Sequence, residues 1–308
     1  MEERPVVSLF SFPSVFWSSR PRYITSRGCV DCDSHHTESP TDRKKRGLRH
    51  VLAASAFGFG LLCLPLAAQD LMRGVDLSSP DMVSAEMTRA ELEAMIGSAS
   101  PADLSGKRLS NLDLSRLNLS HAIFRNARLN KTRLVGANLD HAILDQAWLL
   151  GADLSGAKLN GASLFAAQMA RARLDGADLS NARIAADLTG ASLVGASIAD
   201  ARLGADMRNQ SMGLMRAVLK SANLERLNAR GADLSRVDLE FASLKNADLT
   251  GASLKGAQLG GADLTGVTLA GVDFDGADLA SAKLIAPIGL DQAKNFDKAI
   301  NRDRLIRQ

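Results

Sequence analysis

The stretch that decides the fold is residues 132–160, TRLVGANLDHAILDQAWLLGADLSGAKLN. In it, leucine returns at every fifth position, at Leu134, Leu139, Leu144, Leu149, Leu154 and Leu159. Five is neither the period of an α-helix, about 3.6 residues, nor that of a β-strand, which is two. The period fits a chain that makes one short side of a square and then turns a corner. Large and small apolar residues would fill the inside, and polar residues would face outward.

The same period extends over most of the chain. If the large apolar residue is taken as the centre of each unit, seventeen units run from Leu104 to Ile184, four from Leu188 to Leu203 and fourteen from Leu219 to Leu284. Only Ala229 stands where a large centre is expected. The register changes after Ile184 and is regained at Leu219, so we predict a register break over residues 185–218.

The units also share a motif. Alanine usually stands two residues before the centre and Asp or Asn one before it, as in Ala137-Asn138-Leu139 and Ala152-Asp153-Leu154. In this the chain resembles the pentapeptide repeat family, whose motif is A-[DN]-L-x-x, over residues 102–286. The resemblance implies an all-β solenoid, a right-handed quadrilateral β-helix with four units and twenty residues per coil. Thirty-five units then make about nine coils.

An open shaft would expose strand edges at both ends, so we expect a cap at each end. Residues 69–101 are predicted to form a linker and an N-terminal capping helix. That helix would begin at Ser79-Pro80-Asp81 and end at Gly97, with proline in its first turn and glycine at its end. Residues 287–308 are predicted to form a helical C-terminal cap, similar to the endings of the family.

The N-terminal region is typical of an exported protein. A basic stretch at 43–50 precedes sixteen uncharged residues at 51–66 and small residues at Ala67 and Ala68. This pattern predicts a signal peptide over 43–68, cleavage after Ala68, and a mature protein in the periplasm or otherwise exported, without a stable membrane span. An uncleaved signal anchor is the alternative. Residues 1–42 are interpreted as a disordered or mis-assigned extension, and the cysteines and histidines in it are too close together for a zinc site.

Charge and composition exclude several classes of function. Residues 69–308 contain 28 Lys and Arg and 28 Asp and Glu, which argues against direct nucleic-acid binding. The glycines follow the five-residue period and form no phosphate loop, and no serine lies in a nucleophile elbow. We therefore predict neither an enzyme nor a cofactor. His121 and His141 are twenty residues apart and would stack, but no third ligand is evident, so no metal site is predicted.

Two surface patterns emerge when residues twenty apart are stacked. Asp113, Arg133, Asp153 and Arg173 would form a ladder of alternating charge, which we interpret as structural. On adjoining faces, five large apolar residues replace polar ones within three coils: Ile123, Ile143, Trp148, Leu150 and Phe165. Such a cluster on a polar shaft is the candidate partner-binding site.

The sequence thus favours a non-catalytic exported scaffold that presents its faces to a protein partner or to a second copy of itself. The family resemblance implies an alternative function. Some pentapeptide repeat proteins resemble duplex DNA in shape and charge, bind the DNA gate of gyrase and protect it from quinolones. The equal numbers of acidic and basic residues and the predicted export signal argue against that alternative.

Overall fold

The computed structural model describes residues 76–98, 101–205 and 215–307. The predicted extension at 1–42 and the predicted signal peptide at 43–68 lie outside these ranges. Across the described ranges, no helix has both the length and the apolar character needed to cross a bilayer.

Four parallel ladders of β-bridges build the shaft. In each unit the bridging residue is the one before the centre, and it pairs with its equivalent in the next coil. The two are twenty residues apart except where the register changes and in the closing coil. We name the four sides by their first residues: face A begins at Asp103, face B at Arg108, face C at Asp113 and face D at Asn118. Coils are numbered from face A, so coil 2 begins at Ile123. The chain is therefore a solenoid with four sides.

Backbone hydrogen bonds join each unit to both neighbouring coils. In the unit centred on Leu139, the centre N–H donates to the Lys158 carbonyl at 2.7 Å, and the Asn138 N–H donates to the Leu117 carbonyl at 2.9 Å. At the corner His141 has a φ of 57°, the left-handed conformation that glycine and asparagine adopt most readily. Its N–H donates to the Asn160 carbonyl at 2.9 Å. The corner thus keeps its polar backbone satisfied.

The core is a column of apolar residues inside the square. Centres such as Leu139 and the preceding alanines such as Ala137 are fully buried. Each buried leucine contributes up to about 2 kcal/mol of hydrophobic stabilisation. In one unit the large and the small residue are exchanged. Leu227 occupies the usual alanine position and Ala229 the usual leucine position, and both are buried. The missing centre at Ala229 is therefore compensated within its own unit.

Both register changes fall at the corner between faces A and B. Coil 5 loses one residue there, between Ile184 and Leu188, and coil 6 gains an insertion between Leu203 and Leu219. The ladders nevertheless continue, since Asp187 pairs with Val218 across the insertion. The predicted break over 185–218 is therefore two changes at one corner, and the described residues of that region stay on the four faces. Residues 206–214 of the insertion lie outside the described ranges.

The N-terminal region contains two helices where one was predicted. α1 spans Pro80–Val83 and α2 spans Arg89–Ser98. Ala85 lies between them and forms an antiparallel bridge with Leu109, which covers the N-terminal edge of face B. The prediction of one continuous helix was wrong because the backbone of this stretch pairs with the shaft.

A capping box explains where α2 begins. The Thr88 N–H donates to the Glu91 carboxylate at 2.7 Å, and the Glu91 N–H donates to the Thr88 hydroxyl oxygen at 3.3 Å. This reciprocal pair satisfies two backbone donors at the helix start. Leu92 is then buried in the core of the shaft. The predicted start at Ser79 is that of α1, whose N-cap is Ser79, and the signal Thr-x-x-Glu at 88–91 marks the start of α2.

The C-terminal end closes with three 3-10 turns and no α-helix. They span Leu290–Gln292, Phe296–Lys298 and Arg302–Arg304. Each turn is followed by a bridging residue, so the closing coil advances in units of six residues, through Lys294, Ile300 and Ile306. The Phe296 ring packs edge-on against Phe274, with ring centroids 5.3 Å apart. The longer units thus carry an aromatic side chain onto the end of the core.

Candidate protein-binding surface

The five predicted site residues lie on two adjoining faces in coils 2 to 4. Ile123 and Ile143 are bridged to each other on face A, and Phe165 follows the next centre of the same face. On face B, Trp148 is bridged between Arg128 and Gln168, and Leu150 follows the same centre. All five are half-buried. We call this set (Ile123, Ile143, Trp148, Leu150 and Phe165) the apolar patch.

A small groove adjoins the apolar patch where α1 meets the shaft. Leu150 lines it together with Leu77 before α1, residues of α1 and residues of the corner between faces B and C: Met82, Val83, Asn111, Asn130 and Lys131. Its volume is about 200 Å³, below the roughly 300–1,000 Å³ typical of small-molecule sites. The buried Asn130 side chain joins its walls, donating to the Met82 carbonyl at 3.1 Å and accepting from the Leu150 N–H at 3.0 Å. The groove therefore fixes Leu150 rather than offering a ligand cavity.

Arginines border the aromatic members of the patch. The Arg183 guanidinium lies 4.8 Å from the centroid of the Phe165 ring, a distance at which a cation is attracted to the ring face. Arg128 precedes Trp148 on the face B ladder. The Arg128 Nε is buried and has no hydrogen-bond partner among the residues that the structure describes.

Face C, which adjoins face B, carries a ladder of charged residues. The predicted ladder of alternating charge is present there, with Arg133 3.4 Å from Asp113 and Arg173 3.7 Å from Asp153. The Ser115 hydroxyl and N–H, and more weakly Arg133, lower the pKa of Asp113. These charges satisfy one another, so this face serves register and solubility.

The repeat identifies the family. The sequence signature described as pentapeptide repeats matches in eight copies, over residues 102–130, 132–167, 149–184, 214–251 and 252–285. The chain belongs to the pentapeptide repeat family. Members of this family adopt the right-handed quadrilateral β-helix, which agrees with the four ladders described above, and they are generally not enzymes.

Solved structures of other pentapeptide repeat proteins are similar to this chain. HetL, involved in heterocyst differentiation regulation in the cyanobacterium Nostoc sp. strain PCC 7120, is 31% identical, with 71% of this chain and 94% of HetL covered and a TM-score of 0.43. QnrB1, a plasmid-mediated fluoroquinolone resistance protein, is 20% identical, with 57% and 88% covered and a TM-score of 0.36. A protein of the Arabidopsis thaliana thylakoid lumen is 32% identical, with 35% and 70% covered and a TM-score of 0.20. No curated protein matches the chain.

The two histidines of this pentapeptide repeat protein stack as their spacing predicts. The rings of His121 and His141 are 5.1 Å apart between centroids and 17° from parallel. His141 in turn covers Gly161, where an added Cβ would meet its ring at 2.6 Å. Stacked rings do not converge on one ion. Within the described ranges no group of three or more potential metal-ligating His, Cys, Asp or Glu residues is found.

Several exposed large apolar residues of the pentapeptide repeat protein were not predicted from the sequence. Phe241 is 62% exposed at a corner with a φ of 58°, and Ile288 is 60% exposed on face D. Ile300 and Ile306 are exposed on faces B and C of the closing coil. The exposure of Phe241 could have been predicted from its position two residues after a centre, at a corner where glycine or asparagine is usual. The three isoleucines lie on three different faces and do not form one patch.

Proposed function

We propose that this pentapeptide repeat protein is an exported, non-catalytic scaffold that binds a protein partner through faces A and B. The observation that carries the proposal is the apolar patch, which occupies outward positions that are polar on most of the shaft. Its centre, Trp148, is the only tryptophan after residue 17, and tryptophan is enriched among residues that dominate binding energy.

The architecture favours binding without rearrangement. Trp148 and Ile143 stand on ladders whose backbones are hydrogen-bonded to the coils on both sides. Because their side chains are already half-buried against neighbours, less conformational freedom remains to be lost when a partner covers them. A rigid surface of this kind suits a partner that recognises shape rather than one that reshapes the site.

Two double variants test the surface. Replacing Ile143 and Trp148 by Asp should abolish partner binding or self-association, because it places two charges in the centre of the patch. The matched control replaces Val135 and Val194 by Asp on face C, where both residues are also half-buried. Sedimentation and affinity isolation report association, and far-UV circular dichroism reports folding. Equal association of both folded variants with the partner would refute the proposed surface.

Export is supported by the sequence at 43–68 and has its own test. Cells that express the full chain are fractionated and the intact mass of the product is measured. A periplasmic species that begins at Gln69 is expected. A full-length product that remains in the cytoplasm would contradict export and would restore the gyrase alternative, whose own test is a supercoiling assay with the purified protein.

A further inference from the structure

Cations outnumber acidic residues on faces A and B around the apolar patch. Seven cations stand on or beside faces A and B in coils 1 to 5. Lys107 and Arg108 of coil 1 pair with Glu86 and Asp81, and the other five are Arg125, Arg128, Lys131, Arg171 and Arg183. Of these, Lys131 and Arg171 occupy the corner between faces B and C. None of the five forms an ion pair within 4.0 Å with any residue of the described ranges.

Cations without an ion pair among the described residues also occur elsewhere on the shaft, as at Lys158 and Arg202, whereas the arginines of face C in the coils of the patch are paired. Arg133 and Arg173 belong to coils 2 and 4, and each lies within 4 Å of an aspartate of the adjacent coil. Ion pairs between residues one coil apart can therefore form on this shaft. On faces A and B the equivalent positions hold Ile143, Trp148 and Gln168, none of which can neutralise an arginine.

The acidic groups close to the patch are engaged elsewhere. Asp145 is the one acidic residue at the outward positions of faces A and B in coils 2 to 4. One of its carboxylate oxygens accepts from the Phe165 N–H at 3.0 Å and from the Ser163 hydroxyl. In coil 1, Asp103 accepts from the Ser105 N–H at 3.0 Å. Ser105 is the main cause of the lowered pKa of Asp103, and Arg125 adds a smaller contribution.

Positive charge and aromatic surface thus occur together, and no acidic residue of the described ranges, Asp187 on face B of coil 5 included, pairs with these five cations within 4 Å. Arg125 and Arg183 are exposed on face A, and Arg183 keeps its guanidinium over Phe165. A guanidinium in this position can still donate two parallel hydrogen bonds from its edge to a carboxylate. The spaces between the arginines are apolar, so a complementary partner needs carboxylates and apolar side chains in alternation.

We propose that the partner of this surface is an acidic protein segment with interleaved apolar side chains, whose carboxylates meet Arg125, Arg128 and Arg183 while its apolar side chains cover the apolar patch. This inference rests on the proposed function, since it names the chemistry of the partner for the same site. Opposite potentials accelerate encounter and are screened by salt. Binding therefore weakens as the ionic strength rises, in contrast to a purely apolar contact.

Trp148 supplies the readout. In the full chain with Trp17→Phe it is the only tryptophan, and its fluorescence reports occupation of the patch. The probes are three extended peptides of about ten residues, roughly 33 Å long, that repeat Glu-Glu-Leu-Leu, Lys-Lys-Leu-Leu or Glu-Glu-Ser-Ser. Because successive side chains of an extended chain point to opposite faces, these repeats place both residue types on each face. The Glu–Leu peptide is expected to bind, and the triple variant Arg125→Gln, Arg128→Gln, Arg183→Gln is expected to bind it about tenfold more weakly. The control variant Arg133→Gln, Arg173→Gln on face C should bind it as the parent does.

Each other outcome contradicts the inference in a distinguishable way. Binding of the Lys–Leu peptide as tight as that of Glu–Leu would overturn the acidic partner but leave the apolar patch as a protein-binding site. Equal binding of Glu–Ser would show that the apolar side chains contribute nothing, which would also count against the proposed function. Tighter binding of a single-stranded oligonucleotide than of any peptide would replace the protein partner by a nucleic acid. No fluorescence change with any peptide would overturn the inference, and the proposed function would then still be decided by the Ile143 and Trp148 variants.

Discussion

The exchanged unit at residues 227–229 offers a sharp test of how the core is packed. The face D ladder places Asn228 between Ser197 and Asp248. Leu227 therefore lies between two alanines of the adjacent coils, Ala196 and Ala247, and Ala229 lies between Ile198 and Leu249. Exchanging the two residues, Leu227→Ala with Ala229→Leu, would restore the usual order and match the neighbours on both sides.

The magnitudes follow from complete burial of both side chains. Leu227→Ala alone leaves a cavity and costs about 2–5 kcal/mol, and Ala229→Leu alone overpacks the core and costs about 1–3 kcal/mol. Independent effects would add to about 3–8 kcal/mol. Because the exchange conserves volume, we expect the double variant to lie within about 1.5 kcal/mol of the parent.

Urea unfolding of the four proteins, followed by far-UV circular dichroism, measures this double-mutant cycle. The coupling free energy between the two positions should be at least about 1.5 kcal/mol in favour of the pair. Stabilities that simply add would refute the statement that the two side chains share one space in the shaft.

Two further changes act on the corners and on the charges. In thermal unfolding, Gly289→Ala should destabilise the protein more than Gly251→Ala. Both glycines have a φ of 71°, but only at Gly289 would the added Cβ press on the backbone of Ala270. Equal losses of stability would show that the left-handed conformation alone sets the cost, about 1 kcal/mol. Partial burial raises the pKa of Asp263, but hydrogen bonds from Thr265 and two nearby lysines outweigh it, so the net pKa is lowered. A carboxyl with a lowered pKa in the folded state stabilises the protein above the ordinary pKa of about 3.9, and this stabilisation is lost as the pH falls through the folded-state pKa. Asp263→Asn should therefore flatten the decline in stability below about pH 5. An unchanged pH profile would contradict the lowered pKa of Asp263.

The shaft could be predicted from the sequence because one short motif sets both packing and turn. Large centres such as Leu139 are buried inside the square, and residues such as Gly161 form its corners. The period alone therefore determines which face each residue lies on. The ladder partners of Asp113 and Ile123 followed from counting by twenty. Because the same motif recurs in every coil, few alternative folds fit the sequence.

The ends were less predictable because they depend on single contacts. The bridge between Ala85 and Leu109 divides the N-terminal helix, and no local propensity signals it. The likeness of residues 290–296 to the helical endings of the family predicts a helical cap, but it does not indicate that the cap consists of separate 3-10 turns in six-residue units. The candidate site was visible as residue types, but the half-burial of Trp148 and the unpaired state of the arginines depend on the stacking of coils.

The central claim is that faces A and B carry the partner surface, and site-specific photo-crosslinking in living cells tests it most directly. A photoreactive amino acid is placed at Phe165 on face A or, as the control, at Val194 on face C, both outward and half-buried. The account predicts a discrete crosslinked species from position 165 that disappears with Trp148→Asp, and none from position 194. Crosslinks of equal yield from both faces, or from face C alone, would contradict it.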